Sequence, residues 1–288
     1  MPRFTIKIKE TGTHAENFMS LNRHTFLLHC LGLSISPLVF GKTLTPKSSP
    51  DIILGGGQFR TADSEKIHYA LSILDLQNMR RDLSEMAFLP HGIHPKPTDT
   101  NYLALFEKKG PGACEYDLKK KSITRSIKPL NNRYFYSHGA YSMEGNNLFS
   151  TETYLDTLEG VIAIRDSKTM EHIDDFPSYG KEPHECKLID SGKILVVTNG
   201  GGVSTESAPS VCYIDIQSQK LLEQVTLTTS RINTGHLAVS RNGSLLVVSA
   251  PRAGLTGIPA VLAFDHKDKS SRLWQTLPKL HVKCSVRH

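Results

Sequence analysis

Four histidines recur along this chain at near-regular intervals: His91, His138, His184 and His236, with gaps of 47, 46 and 52 residues. Imidazole changes charge closest to neutral pH and is a common ligand of zinc, copper, iron and nickel. Brought to one point, four imidazoles would hold a transition-metal ion. Their nitrogens would then lie about 4 Å or less apart, given metal–nitrogen bonds near 2.0–2.1 Å. Carboxylates stand nearby in the sequence. Glu182 and Glu185 flank His184, and Glu152 follows His138 in its repeat. All three are expected to complete a ligand shell. A competing reading gives each histidine a structural task, bonding backbone or a turn aspartate within its own repeat.

Other chemistries find no footing. The five cysteines, at positions 30, 114, 186, 212 and 284, form no C-x-x-C pair, which excludes a zinc ribbon or a thioredoxin-like motif. The glycine runs 55–57 and 200–202 build neither a dinucleotide fingerprint nor a Walker loop, and are expected at tight turns. No serine sits in a G-x-S-x-G elbow. The expected role is a binding or scaffolding protein linked to metal handling rather than an enzyme. A metal-dependent redox role for the histidines and a non-functional fragment are the alternatives.

The elements that would position the histidines repeat with them. His91-Gly92 leads into Tyr102-Leu-Ala-Leu-Phe106, His138-Gly139 into Asn147-Leu-Phe-Ser150, His184-Glu185 into Lys193-Ile-Leu-Val-Val197, and His236-Leu237 into Ser244-Leu-Leu-Val-Val248. A further apolar run in each repeat closes on an aspartate: Asp75, Asp117, Asp166, Asp215 and Asp265. Glu144-Gly145, Ser191-Gly192 and Asn242-Gly243 supply hairpin turns between first and second runs. About four short strands at a period of roughly 40–50 residues spell an all-β propeller of four-stranded blades. Five units are expected, near 51–88, 89–131, 132–178, 179–229 and 230–280. The first strand of each blade lines a propeller's channel, so equivalent histidines are aimed at a common axis.

Residues 133–152 (RYFYSHGAYSMEGNNLFSTE), 160–166 (GVIAIRD), 183–188 (PHECKL) and 194–201 (ILVVTNGG) resemble a family of exported bacterial proteins, domain of unknown function 1513. The resemblance extends from about 51 to 280. It implies a propeller related to the seven-bladed YVTN and WD-repeat rings, with an association with periplasmic iron uptake. Five units fall short of seven, and residues 281–288 (HVKCSVRH) match no blade strand. A ring truncated from seven blades is therefore expected, with a closed five-bladed ring as the alternative.

Of the 288 residues, 39% are hydrophobic and 22% charged, enough apolar material for a packed body rather than a disordered one. The net charge of +6 is scattered, and its one tight run, Lys119-Lys120-Lys121, has no interleaved aromatics. Nucleic acid is not an expected partner; a protein or small ligand at the propeller face is. Residues 19–45 read as an export signal, with Arg23-His24-Thr25-Phe26-Leu27 close to a twin-arginine pattern and an apolar stretch too short to span a bilayer. Met19 then reads as the true start, leaving 1–18 outside the product, and the expected location is the periplasm.

Overall fold

Nineteen strands and one 3-10 turn, Asp190–Gly192, make up the regular structure of the computed structural model, which describes residues 51–61, 66–201, 207–226, 232–239, 245–251, 261–265 and 270–272. The expectations for residues 1–50 and for the tail 281–288 lie outside these residues. The strands form five antiparallel sheets, each built from consecutive strands in simple order.

Sheet I contains β1 (Ile52–Phe59), β2 (His68–Asp75) and β3 (Arg80–Met86). Sheet II contains β4 (Pro90–Lys96), β5 (Asp99–Glu107), β6 (Ala113–Asp117) and β7 (Ser122–Ile127). Sheet III contains β8 (Arg133–Tyr141), β9 (Asn147–Tyr154), β10 (Glu159–Asp166) and β11 (His172–Lys181). Sheet IV contains β12 (Pro183–Ile189), β13 (Ile194–Asn199), β14 (Ser210–Asp215) and β15 (Leu221–Thr226). Sheet V contains β16 (Ile232–Val239), β17 (Leu245–Pro251), β18 (Val261–Asp265) and β19 (Ser270–Arg272). The fold is an all-β propeller of about five blades. Among the described residues no helix is long and apolar enough to cross a membrane.

The period-2 geometry of a strand explains why the second and third strands read as continuous apolar runs: each is buried on both faces. In β5, Leu103 and Leu105 pack with Leu71, Ile73 and Met86 of sheet I, whereas Ala104 and Phe106 pack with Phe135 and Leu148 of sheet III. In β13, Leu195 and Val197 face sheet III while Val196 faces sheet V. Each pair of consecutive sheets thus shares one apolar core.

The strand-ending aspartates have a defined task. The Asp75, Asp117, Asp166 and Asp215 carboxylates accept backbone N–H bonds from Asn78, from Lys119 and Lys120, from Lys168 and Thr169, and from Ser218, at 2.7–2.9 Å. Each closes the turn to the outermost strand as a short polar side chain does best. Lys119 and Lys120 therefore belong to a turn, as their solvated character suggested.

The same aspartates align sheet I with the rest. Asp75 ends the second strand of sheet I but the third strand of every other sheet. Strands β1–β3 thus correspond to second, third and fourth strands. The counterpart of the innermost strand is not among the described residues. The glycines 55–57 lie inside β1 rather than at a turn, a departure from expectation with a steric cause. A Cβ on Gly56 would stand 1.6 Å from the Pro90 carbonyl oxygen, so only glycine lets β1 approach β4 this closely.

Candidate metal centre

The innermost strands β4, β8, β12 and β16 carry His91, His138, His184 and His236, and each breaks register with its neighbour at that histidine. The shifts fall between Pro90 and Gly92, Phe135 and Gly139, Pro183 and Cys186, and Thr234 and Leu237. An extra residue in one strand bends it and re-aims the side chain it carries. The bulge in β8 is the most strained, with Ser137 at φ 91°. A conformation of this kind costs on the order of 1–3 kcal/mol and persists only where its surroundings hold it. Here the Ser137 hydroxyl donates to the Lys108 carbonyl at 2.7 Å.

Buried threonines on the second strands brace the bulges and tie consecutive sheets together. Thr151 donates to the His138 carbonyl at 2.9 Å and lies 3.4 Å from the His184 carbonyl of the next sheet. Thr198 accepts the Glu185 N–H at 3.1 Å and donates to the Gly235 carbonyl of the next sheet at 2.5 Å. Gly92, directly after His91, completes the fit, since a Cβ there would stand 2.1 Å from the Ser137 carbonyl oxygen of β8.

These devices bring the four imidazoles together, with one nitrogen of each within 4.8 Å of the others. The widest pair must draw in by about 1.4 Å to reach the spacing of a tetrahedral ion with bonds near 2.0–2.1 Å. Ring centroids stand 5.2 Å apart for His91–His138, 5.9 Å for His91–His184, 6.0 Å for His91–His236, 5.2 Å for His138–His184, 5.3 Å for His138–His236 and 4.8 Å for His184–His236. His138 is buried, and neither of its ring nitrogens has a hydrogen-bond partner; nor has the buried Nε2 of His91. Orphaned buried polar atoms are rare and require an explanation. The structural task considered above, a bond to backbone or a turn aspartate, is not what His138 performs.

The site is poised in the protonation state that ligation needs. Burial pushes the His91 imidazole down to about 4, helped by Lys108 and His236. Burial, His236 and His91 bring His184 to about 3. Burial drives His138 far below the usual imidazole range, with His94 adding to the effect. All three are neutral at pH 7, with lone pairs available.

The family model described as "Protein of unknown function (DUF1513)" matches residues 85–282, more than half of the chain and all four histidine-bearing strands. The chain belongs to the DUF1513 family. A search of the curated proteins finds no match. Among solved structures, this DUF1513 chain is similar to Kuenenia stuttgartiensis hydrazine synthase, with TM-score 0.58 and 15% identity, covering 79% of this chain and 67% of that one. It is also similar to TolB from Acinetobacter baumannii, with TM-score 0.50 and 17% identity, covering 70% of this chain but only 47% of that one. The β-propeller domain of Myceliophthora thermophila Cps50 (Swd1) matches at TM-score 0.48 and 12% identity over 70% of each chain. At such identities the likeness concerns the propeller fold alone.

The three carboxylates expected to complete a ligand shell, Glu152, Glu182 and Glu185, stand outside the group of four imidazoles. Glu152 is fully buried and turned to Arg165, whose guanidinium donates to it at 2.5 Å, with Arg133 at 3.8 Å. Glu182 is paired with Lys109 at 3.2 Å. Each thus neutralises a cation instead of facing the imidazoles. Glu185 stands behind the cluster. Its Oε2 accepts from His236 Nδ1 at 3.1 Å and from the Leu237 N–H at 2.9 Å, while Lys187 lies 2.9 Å from Oε1. Burial works to raise this carboxyl, but the His236 bond, His138, Lys187 and the Leu237 amide outweigh it and hold it far below the ordinary carboxylate range. Because Nδ1–H of His236 donates its hydrogen bond to Glu185, Nε2 is the nitrogen left with a free lone pair.

Sequence reasoning passed over His94. Its Nε2 accepts the Gly139 N–H at 3.2 Å, its ring lies 5.4 Å from that of His138, and burial brings it to about 4. It steadies the backbone that carries His138. Its nearness to His91 in the chain is the one signal that pointed to it.

Proposed function

We propose that this protein is a metal-binding propeller that holds a transition-metal ion on its axis through His91, His138, His184 and His236. The observation carrying the reading is His138: a buried imidazole without a hydrogen-bond partner, surrounded by three others whose nitrogens converge with its own. Imidazole nitrogen suits zinc, copper, nickel and iron and disfavours magnesium and calcium, which require oxygen. The signal-like sequence of residues 19–45 supports a binding role in the periplasm, with the bound metal handled there. The test is metal analysis and calorimetric titration of the full chain beside its His138→Ala and His184→Ala variants. One equivalent per chain is expected, bound far more weakly by both variants. Failure of the parent protein to bind zinc, copper, nickel or iron would remove the proposal.

A further inference from the structure

Resting on that reading, the geometry points to a closed, tetrahedral zinc site that clamps sheets II to V together and performs no turnover. The six centroid distances decide the shape. In a square array the two diagonals are about 1.4 times the sides, and tetragonal centres of that kind suit Cu(II) or Ni(II). Here the longest distance, 6.0 Å, exceeds the shortest, 4.8 Å, by only a quarter. The two longest, moreover, both end at His91, whereas the diagonals of a square share no corner. Six nearly equal separations describe a tetrahedron. Zinc, with a filled d shell, takes that arrangement by default.

The surroundings argue for closure. Catalytic zinc sites use three protein ligands and leave a position to water, whereas structural sites use four. Four imidazoles are present, and the neighbouring carboxylates, Glu185 and Glu182, are engaged by His236 and Lys187 and by Lys109. The cysteines Cys114, Cys186 and Cys212 are buried away in the intersheet cores. Imidazole nitrogens bring no negative charge to an ion, so the ion keeps its full charge inside the fold, and the Glu185 carboxylate behind His236 offsets part of it. The half-exposed His236 side chain, 48% accessible, leaves a way in for the ion. Each ligand comes from a different sheet, so one ion crosslinks four blades.

The experiment uses the full chain stripped of metal. Zinc at a hundredfold excess over its Kd is expected to raise the melting temperature by roughly 5–10 °C. Co2+ bound in place of zinc is expected to show the intense visible absorption of four-coordinate cobalt, unmoved by azide or cyanide. His236→Ala opens one position, so its cobalt spectrum becomes sensitive to those anions. A weak, six-coordinate cobalt spectrum, or an azide-sensitive spectrum in the parent protein, overturns the closed zinc site while leaving metal binding intact. Absence of binding by both zinc and cobalt overturns the closed zinc site, and absence of copper, nickel and iron binding as well overturns both proposals.

Discussion

Replacing Glu152 by glutamine separates a structural acid from a metal ligand. Glu152 is 0% exposed and Arg165 1%, and their contact at 2.5 Å is reinforced by bonds from Arg165 to the Ser150 hydroxyl at 2.5 Å and the Lys128 carbonyl at 3.0 Å. Glu152→Gln keeps the shape but removes the only carboxylate paired with Arg165 among the described residues, leaving a guanidinium charge out of water. Breaking a buried pair from one side costs about 3–5 kcal/mol. In a domain of 150–250 residues each kcal/mol lowers Tm by about 2–4 °C, so the expected fall is roughly 6–20 °C. Calorimetric melting measures it, and zinc titration of the folded variant at low temperature is expected to give the parent Kd. Glu152→Leu combined with Arg165→Met is expected to recover most of the loss, since a well-packed apolar pair often equals a buried ion pair. An unchanged Tm together with weakened zinc binding would refute the reasoning and return Glu152 to the ligand shell.

Glu185→Gln is expected to weaken zinc binding about 10–100-fold, the usual effect of losing an outer partner of a histidine ligand, with its readout in competition titration against a chromophoric chelator. An unchanged Kd would show that His236 needs no such support. Gly56→Ala is expected to destabilise strongly because its Cβ meets the Pro90 carbonyl, whereas Gly55→Ala, with nothing within 4 Å, stays within about 0.5 kcal/mol of the parent in urea denaturation. Equal effects from the two would dismiss the close approach of β1 to β4. Acid should destabilise the metal-free protein. His91 and His94 titrate at about 4 and His184 at about 3 when folded, against about 6.5 when unfolded, so the unfolded chain binds more protons as pH falls. Their contribution is complete above about pH 6.5 and lost on descent through 4 to 3. A urea midpoint that stays flat from pH 7 to 4.5 would contradict it.

The blade period and register were legible because a propeller repeats its chemistry: one aspartate per third strand, one histidine per first strand. Convergence of the histidines followed from that register. The means of convergence did not. A bulge is a relation between two strands, and nothing in His138-Gly139 taken alone reveals that Phe135 and Gly139, four apart, oppose Glu152 and Ser150, two apart. The carboxylates misled for a similar reason. Glu152 lies close in sequence to His138, but the partner that claims it, Arg165, arrives on the adjacent strand β10. Glu185, next to His184, acts instead on His236 of the following sheet. The glycines of β1 looked like a turn because their reason for being glycine, the Pro90 carbonyl, belongs to another sheet.

One histidine per blade has a consequence for the order of events during biogenesis. The ligands run from residue 91 to residue 236, and each is aimed only after its own sheet has formed and docked on the one before. No local stretch of the chain offers all four imidazoles while it is being made, so an ion bound by the proposed site would be captured late, when the last of the four blades seats. Contacts this distant in sequence form slowly. The cellular compartment in which folding finishes, and the free metals present there, would then select the ion as much as the imidazoles do.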